Sequence, residues 1–292
     1  MSSWTQSSQI QSRLKYTDLF CKISKSGYGT NFQKFLMCYL FARHTKRKLY
    51  LCDTTNNISE SFHLILDTFQ PLPGITYTNK KGITIFEDKI TELNTYLCTL
   101  SNDEICKEAR NIFRWSNNVQ EHINKAILGL PSFDIGIHIR TGDKITTGEM
   151  NAIPLDTYIS EIASIYNTLG KSTVNIYVMT DNSTIMEQLL SKAPQSWLLY
   201  SIPLPIQSAN GHNQAEYNKR SVNDKMSSYY HFLSELHIMQ RCSSIICTYS
   251  SNIGRFLYMT REPETKIKSL DTEQFTILHD MSIFLSIQHQ SH

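Results

Sequence analysis

The chain has 292 residues, which suits two domains of ordinary size better than one small core. Its content of 40% hydrophobic and 18% charged residues is that of a globular protein, and a net charge of +2 gives no electrostatic case for nucleic acid binding. The first residues lack the apolar core of a signal peptide, and no run reaches transmembrane length. We therefore expect a cytoplasmic protein, or one whose membrane anchor has been removed.

The cysteines are odd in number and irregular in spacing, and most lie inside apolar stretches. They are Cys21, Cys38, Cys52, Cys98, Cys106, Cys242 and Cys247. This pattern indicates a reducing compartment in which cysteine serves as a small hydrophobic residue. The sequence contains neither a Cys-x-x-Cys pair nor a His-Glu-x-x-His helix, so it predicts no zinc site.

The first half of the chain opens with a strand, a loop, a helix and a second strand. The strand covers residues 19–23, the loop contains Gly27-Tyr28-Gly29, the helix begins near Thr30 or Asn31, and the second strand covers residues 49–52. A glycine loop before a helix can present backbone N–H groups to phosphate. Two glycines alone indicate a tight turn at least as strongly.

Residues 59–130 show a weaker pattern. We expect a helix at 62–69, a strand at 83–86, and one or two helices within 102–128. Pro131 marks the predicted boundary between an amino-terminal α/β domain, residues 1–131, and a carboxy-terminal domain, residues 132–292.

The second half alternates between strands and helices. The predicted strands are 133–139, 174–179, 197–200 and 244–247, and the predicted helices follow Pro154 and cover 184–191, 225–241 and 253–259. Residues 202–224 are expected to form a long surface loop. This alternation predicts a parallel sheet flanked by helices, with several strand ends along one edge.

The strand at 133–139 ends in the cluster His138-x-Arg140-x-Gly142-Asp143-Lys144. Open α/β sheets bind ligands at this edge, and a guanidinium and an ammonium are suited to phosphate oxygens. The simpler interpretations are a surface ion pair between Arg140 and Asp143, and a half-buried structural histidine. We favour a binding site.

Two other strand ends carry polar side chains. Asp181 and Asn182 follow one strand and could hold sugar hydroxyls or cap the next helix. Ser250 and Ser251 follow another and could bind phosphate, cap a helix, or do both.

In blocks across residues 133–262, the sequence resembles the α-1,6-fucosyltransferases, which include core and nodulation-factor enzymes. The matching residues are His138, Arg140, Asp143, Lys144, Glu149, Pro154, Tyr158, Thr180, Asp181, Glu235, Cys247, Thr248, Ser250, Ser251 and Arg255. Gly27-Tyr28-Gly29 is similar to the glycine loop of the family. Five blocks occur in the family's order.

The chain also departs from the family pattern. Thr141 stands where the family has a second arginine, and the resulting Arg-x-Gly-Asp form is similar to that of the α-1,2-fucosyltransferases. One residue is inserted between Lys144 and Glu149, and Asn182 replaces a second aspartate. Glu235 replaces an acidic residue that is usually aspartate. These differences leave the linkage open.

The resemblance implies a GT-B-like fold of two facing Rossmann-like domains, with residues 1–131 as the acceptor side and residues 132–292 as the nucleotide-sugar-binding domain. It also implies the transfer of fucose from GDP-fucose to a glycan. It implies Glu149 as the catalytic base, Arg140 and Lys144 as stabilisers of the leaving diphosphate, and Glu235 as the reader of guanine. The implied donor contacts are Gly27, Tyr28, Gly29, His138, Arg140, Asp143, Tyr158, Asp181, Asn182, Glu235, Ser250 and Ser251. The sequence contains no Asp-x-Asp motif, so we expect inverting transfer without a metal or other cofactor.

Two alternatives remain open at the level of sequence. The same fold could form an α-1,2 or other linkage, or use a protein acceptor. A catalytically silent nucleotide-sugar-binding protein is the alternative from another functional class, although the presence of both Arg140 and Glu149 argues against it.

Overall fold

The computed structural model of the protein describes residues 18–23, 27–52, 58, 62–77, 95–148, 150–206 and 208–272. The chain divides into two compact units, with the division between Arg114 and Trp115. This is 17 residues before the boundary predicted at residue 131.

The first unit contains a parallel three-stranded sheet. Its elements are β1 (Asp18–Lys22), α1 (Tyr28–His44), β2 (Lys48–Cys52), β3 (Ile75–Tyr77) and α2 (Asn102–Ile112). The strand order is β1-β2-β3, and both strand pairs are parallel. The ring of Phe69 packs between those of Phe32 and Phe113, with its centroid 5.0 Å from each. These aromatic contacts join α1, which carries Phe32, to the segment before β3 and to the end of α2.

The second unit contains a parallel five-stranded sheet. Its first elements are α3 (Asn117–Ala126), β4 (Ile135–Ile139), α4 (Asp143–Thr146), α5 (Leu155–Leu169), β5 (Val174–Thr180) and α6 (Ile185–Lys192). They are followed by β6 (Trp197–Tyr200), α7 (Gln214–Lys219), α8 (Val222–Gln240), β7 (Ser244–Cys247), α9 (Asn252–Thr260) and β8 (Lys266–Ser269). The strand order is β6-β5-β4-β7-β8.

The centre of this sheet is β4, and it is buried along its whole length. Ile135, Ile137 and Ile139 belong to an apolar core that also includes Tyr158 and Ile162 of α5. β-branched residues suit a strand covered on both faces, which explains the continuous apolar run in the sequence.

The order of the strands creates a switch point between β4 and β7. From β4 the chain proceeds through β5 to β6 on one side, and β7 and β8 lie on the other side. In open α/β sheets, the crevice outside the carboxyl ends of the strands at such a point is the usual ligand site.

The packing of α3 explains why the second unit begins before residue 131. The rings of His122 on α3 and Tyr230 on α8 stack with centroids 3.8 Å apart, and Asn118 Nδ2 donates to the Tyr230 hydroxyl over 3.1 Å. Just before α3, Trp115 Nε1 donates to His237 Nδ1 over 3.1 Å. These contacts join α3 to the carboxy-terminal sheet layer.

Most elements predicted from the sequence are confirmed within one to three residues. The helix predicted at 62–69 is wrong, because residues 64–68 form turns. Strands β3 and β8 and helices α4 and α7 were not predicted, and α7 lies inside the segment expected to be a loop. The strand predicted at 83–86 lies outside the described residues.

No helix in the described part of the chain is both long enough and apolar enough to span a membrane. Six cysteines of the described part of the chain form no disulfide, and of these six Cys98 is exposed and the others are buried; they are Cys21, Cys38, Cys98, Cys106, Cys242 and Cys247.

Candidate functional site

Arg140 lies directly after β4, at the carboxyl edge of the five-stranded sheet. Its Nη1 donates to Asp181 Oδ2 over 2.5 Å, and its Nη2 donates to Asp143 Oδ1 over 2.7 Å. The three side chains are 13–20% exposed, so the ion pairs are largely screened from water. The ion pair with Asp143 that the sequence left open is therefore present, and a second carboxylate joins it. These bonds use two of the five N–H groups of the guanidinium.

Asp181 joins three segments of the chain. Besides Arg140, its carboxylate accepts hydrogen bonds from the backbone N–H and hydroxyl of Thr141 and from the N–H groups of Gly142 and His212, over 2.9–3.2 Å. Burial by itself raises the pKa of Asp181, but Arg140 and the His212 and Thr141 amides outweigh burial and bring it below its usual value. Both carboxylate oxygens of Asp181 thus bind protein groups, and its contact with sugar hydroxyls stays a prediction.

The segment around His212 packs against the turn after β4. Asp143 N donates to His212 O over 2.8 Å, and Gln214 N donates to Asp143 Oδ2 over 2.8 Å. A Cβ added to Gly142 would lie 2.1 Å from His212 O, so only glycine permits this approach. Gly211 has φ +74, and a Cβ there would lie 2.6 Å from Gly142 N. Gly142 thus serves the contact with the 208–214 loop, and Asp143 braces both Arg140 and that loop.

His138 is buried near the end of β4. The residue is only 3% exposed, and within the described part of the chain its Nδ1 has no hydrogen-bond partner. Burial lowers the pKa of His138 to about 4, so the imidazole is neutral at pH 7. An uncharged ring with an unpaired nitrogen beside Arg140 and Asp181 can accept or donate one hydrogen bond to a ligand.

The serines after β7 have structural partners. Ser251 caps α9, its hydroxyl accepting from Ile253 N over 3.3 Å, which confirms the capping interpretation. Ser250 N donates to Asp271 Oδ2 over 3.0 Å, and the Ser250 hydroxyl also binds that carboxylate. The phosphate contact of Ser250 stays a prediction. Asn182 Oδ1 accepts from the N–H and the hydroxyl of Thr184, the residue that precedes α6, over 2.8 and 2.9 Å.

Two further predicted donor contacts lie in the interior of the protein. Tyr158 is 2% exposed and packs in the apolar core between α5 and the sheet, so it does not face the site. The Glu235 side chain is 7% exposed, lies 3.4 Å from His231 Nδ1, and is 3.5 Å from the Tyr177 hydroxyl. Burial raises the pKa of Glu235 well above its usual value. Glu235 is thus a buried acid in this structure, and its role as the reader of guanine stays a prediction.

The remaining predicted residues are placed as follows. Lys144 is half-buried in the first turn of α4. Glu149, the predicted base, lies outside the described residues. In the first unit, Gly27 caps α1, and Tyr28 and Gly29 belong to its first turn, so the helix begins earlier than predicted.

Within the ranges that the structure describes, no three side chains of His, Cys, Asp or Glu are grouped as a metal ion would require. The charged groups of the site are instead one guanidinium held by two carboxylates, with Lys144 nearby in sequence. Such an arrangement can fix an arginine in place and present its remaining N–H groups to an anion.

The sequence did not identify the 208–214 loop or Asp271 as parts of this edge. The only signal for the loop was Asn210-Gly211, a turn dipeptide inside a polar segment. Asp271 follows β8, a four-residue strand with two lysines that has no apolar alternation.

Comparison with known proteins shows which family the sequence matches. The sequence matches the family model for α-(1,6)-fucosyltransferase N- and catalytic domains over residues 104–281, which is more than half of the chain. No curated protein sequence matches it.

Several solved structures share the fold. A NodZ α-1,6-fucosyltransferase soaked with GDP-fucose has a TM-score of 0.54 and 13% identity, covering 87% of this chain and 96% of that chain. The fucosyltransferase NodZ from Bradyrhizobium has a TM-score of 0.54 and 11% identity with the same coverage. NodZ co-crystallized with GDP has a TM-score of 0.51 and 13% identity, covering 84% and 93%.

These likenesses confirm the predicted α/β fold of GT-B type, with parallel sheets flanked by helices. The match of the family model extends from α2 to beyond β8, so it includes every element of the edge that carries Arg140. The chain belongs to the α-(1,6)-fucosyltransferase family and is therefore a glycosyltransferase.

Proposed function

We propose that this protein transfers L-fucose from GDP-fucose to a hydroxyl group of a glycan, with inversion at the anomeric carbon and without a metal ion. Membership of the α-(1,6)-fucosyltransferase family supports fucosyl transfer. The choice of donor is supported by the related NodZ enzyme, whose crystals were soaked with GDP-fucose.

The observation that carries the proposal is the position of Arg140 at the switch point between β4 and β7. Its guanidinium is fixed by Asp143 and Asp181 at 2.5–2.7 Å. Two residues before it, near the end of β4, lies neutral His138, whose Nδ1 has no hydrogen-bond partner within the described residues. Fixed donors at the carboxyl edge of a parallel sheet suit the diphosphate of a nucleotide sugar.

In the proposed reaction, the acceptor oxygen forms a bond to C1 of fucose on the face opposite the diphosphate. The bond between C1 and the phosphate oxygen breaks, and its electron pair leaves with GDP. Arg140, together with Lys144, stabilises the negative charge that develops on the leaving phosphate. Glu149 accepts the proton of the acceptor hydroxyl, which is the role of a general base in a single displacement.

Metal independence is supported by the composition of the site. The chain has no Asp-x-Asp motif, and the groups at the end of β4 include a guanidinium that can do what a divalent cation does in other glycosyltransferases. Both carboxylates beside Arg140 are engaged with protein donors. An assay with and without EDTA tests this, and activity that requires added manganese or magnesium would contradict it.

The linkage is proposed as α-1,6, with α-1,2 as the alternative. The Thr141-Gly142 pair favours the alternative, since it replaces the second arginine of the α-1,6 pattern with a turn that binds Asp181 and the 208–214 loop. Nuclear magnetic resonance analysis of the fucosylated product would distinguish the two linkages. A cytoplasmic location remains a prediction.

The decisive experiment pairs GDP-fucose binding with turnover in wild-type protein and in Glu149→Gln. Calorimetry should show binding of GDP and GDP-fucose to both, whereas turnover with candidate glycans should fall by about 10²–10⁴-fold in the variant, the usual effect of removing a general base. A wild-type protein that binds GDP-fucose without any transfer would favour the silent-binder alternative. A variant that turns over normally would show that Glu149 is not the base.

A further inference from the structure

The turn from Thr248 to Ser251, between β7 and α9, is held by two charged side chains, those of Asp271 and Arg255. Asp271 Oδ1 accepts the N–H of Tyr249 over 2.9 Å, and its Oδ2 accepts the N–H of Ser250 over 3.0 Å. In the same segment, Arg255 Nε donates to Tyr249 O over 2.6 Å. Asp271 therefore binds two successive backbone donors of the turn, and Arg255 binds its acceptor.

The carboxylate of Asp271 is itself fixed. Ser269 Oγ donates to Asp271 Oδ1 over 2.5 Å and also accepts from Tyr249 N over 3.1 Å. The helix that follows packs closely on the same turn, since a Cβ added to Gly254 would lie 2.0 Å from Thr248 O. A turn fastened by a carboxylate, a guanidinium and a close backbone approach has little freedom to change shape.

This turn stands at the switch point. β7 is the direct neighbour of β4, with Ile137 paired to Ile246, so the turn after β7 lies beside the strand end that bears Arg140. Asp271 follows β8, the next strand, and Leu270 N donates to Cys247 O over 2.9 Å. Asp271 thus follows β8 and binds the turn that follows the neighbouring strand, β7, at the proposed donor site.

We infer that Asp271 is a positioning residue for the donor diphosphate: it sets the shape of the Thr248–Ser251 turn at the edge of the donor crevice. The inference rests on the proposed function. Asp271 already occupies the amides of Tyr249 and Ser250, so the diphosphate does not use those two donors. Its contribution is to keep the turn, and the start of α9 behind it, in the conformation that the donor meets.

Asp134 offers a matched control at the opposite, amino-terminal edge of the same sheet. It is also a half-buried aspartate that accepts a backbone N–H of a neighbouring strand, that of Asn175 over 3.0 Å, and it pairs with Lys171. Asp134→Asn should lower the thermal midpoint without changing nucleotide binding. A purely structural role for Asp271 would give Asp271→Asn the same behaviour.

The test measures GDP affinity by calorimetry, KM for GDP-fucose, kcat and thermal midpoint in the wild type, Asp271→Asn, Asp271→Ala, Ser269→Ala and Asp134→Asn. We expect Asp271→Ala to weaken GDP binding and to raise KM by about tenfold or more, on the scale of losing hydrogen bonds to a charged group. Asp271→Asn should lose less, because the amide keeps one acceptor oxygen, and Ser269→Ala should lose least. If Asp271→Ala does not fold, the other three variants are compared. GDP binding should then be weakened more in Asp271→Asn than in Ser269→Ala, and it should be unchanged in Asp134→Asn.

The outcomes are distinguishable. A wild-type protein that does not bind GDP would overturn the proposed function and this inference with it. If the wild type binds GDP and the Asp271 variants match Asp134→Asn in affinity and KM, the inference alone is wrong. Tighter GDP binding by Asp271→Ala would also overturn it, since the carboxylate would then compete with phosphate for the Tyr249 and Ser250 amides.

Discussion

Arg140 is held between Asp143 and Asp181, and this decides how its role can be tested. Arg140→Ala removes the cation and leaves two partly buried carboxylates without their partner, which costs about 1–3 kcal/mol of stability in addition to any loss of binding. Arg140→Lys retains a charge, but a single ammonium cannot reproduce two ion pairs in the plane of a guanidinium.

We expect Arg140→Ala to weaken GDP binding by about 10- to 150-fold, the range for losing a hydrogen bond to a charged group, and Arg140→Lys to weaken it less. Calorimetry with GDP and thermal denaturation should be run on both variants. Arg261→Ala is the control, because Arg261 is also part-buried and binds the backbone at Thr265, but it lies at the far end of α9. If all three variants bind GDP as the wild type does, Arg140 is a structural cation.

At the scale of elements, the contact between the turn after β4 and the 208–214 loop depends on two glycines that meet. Gly142→Ala places a methyl group where His212 O now lies, so the loop must move away, and Asp181 then loses the His212 amide. We expect a lower thermal midpoint and weaker GDP binding, because the same carboxylate orients Arg140.

The control for this variant is Thr146→Ala, which lies four residues later, in α4, and has an exposed side chain. It should bind GDP as the wild type does. Hydrogen exchange at residues 208–214 gives an independent measurement, and faster exchange there in Gly142→Ala alone is the expected result. Unchanged exchange would show that the loop does not depend on Gly142.

The elements of the second unit could largely be predicted because each has a local cause. β4 and β5 are mostly apolar runs, as a buried parallel strand requires, and α8 and α9 begin directly after Ser221 and Ser251, whose hydroxyls cap them. Polar residues at the ends of these strands therefore indicated the edge where the site lies. The presence of Arg140 there follows from the sequence alone.

The partners of those residues could not be predicted, because they come from distant segments of the chain. Asp181 is 41 residues from Arg140, and Asp271 is 21 residues from Ser250. β8 lacks an apolar pattern, so the sequence did not predict this strand or the contact of Asp271 with the turn after β7. The burial of Glu235 and Tyr158 likewise depends on which face of each helix meets the sheet.

At the scale of the whole molecule, burial gives several titrating groups pKa values that link stability to pH. Burial lowers the pKa of four histidines, to about 4 for His138 and His237, and below the usual value for His212 and His231. Burial raises the pKa of Glu235. Burial by itself raises the pKa of Asp181 and of Asp271, but Arg140 and hydrogen bonds lower it for Asp181 and hydrogen bonds lower it for Asp271, which matters only below about pH 4.

The direction of the pH effect follows from proton uptake on unfolding. A histidine with a lowered pKa in the folded state binds a proton only when unfolded, so stability falls as pH drops from about 6.5 toward 4. For His138 alone the slope reaches about 1.4 kcal/mol per pH unit. Glu235 acts in the opposite sense, because its folded form holds a proton that the unfolded form releases above about pH 4.3. Four histidines outweigh one glutamate, so net stability should decrease between pH 6.5 and 4.5.

Two variants should change this dependence in opposite directions. His138→Gln removes one titrating histidine, so denaturant titrations between pH 7 and 4.5 should give a shallower fall in the free energy of unfolding. Glu235→Gln keeps the shape of the neutral acid but removes the group that offsets the histidines, so its fall should be steeper, and at pH 8 the variant should be more stable than the wild type. Parallel curves for all three proteins would show that His138 and Glu235 titrate alike in the folded and unfolded chain, which would contradict their burial. Curves that diverge in the expected directions would show that the pH dependence of stability arises from buried groups on β4, which leads to Arg140, and on α8.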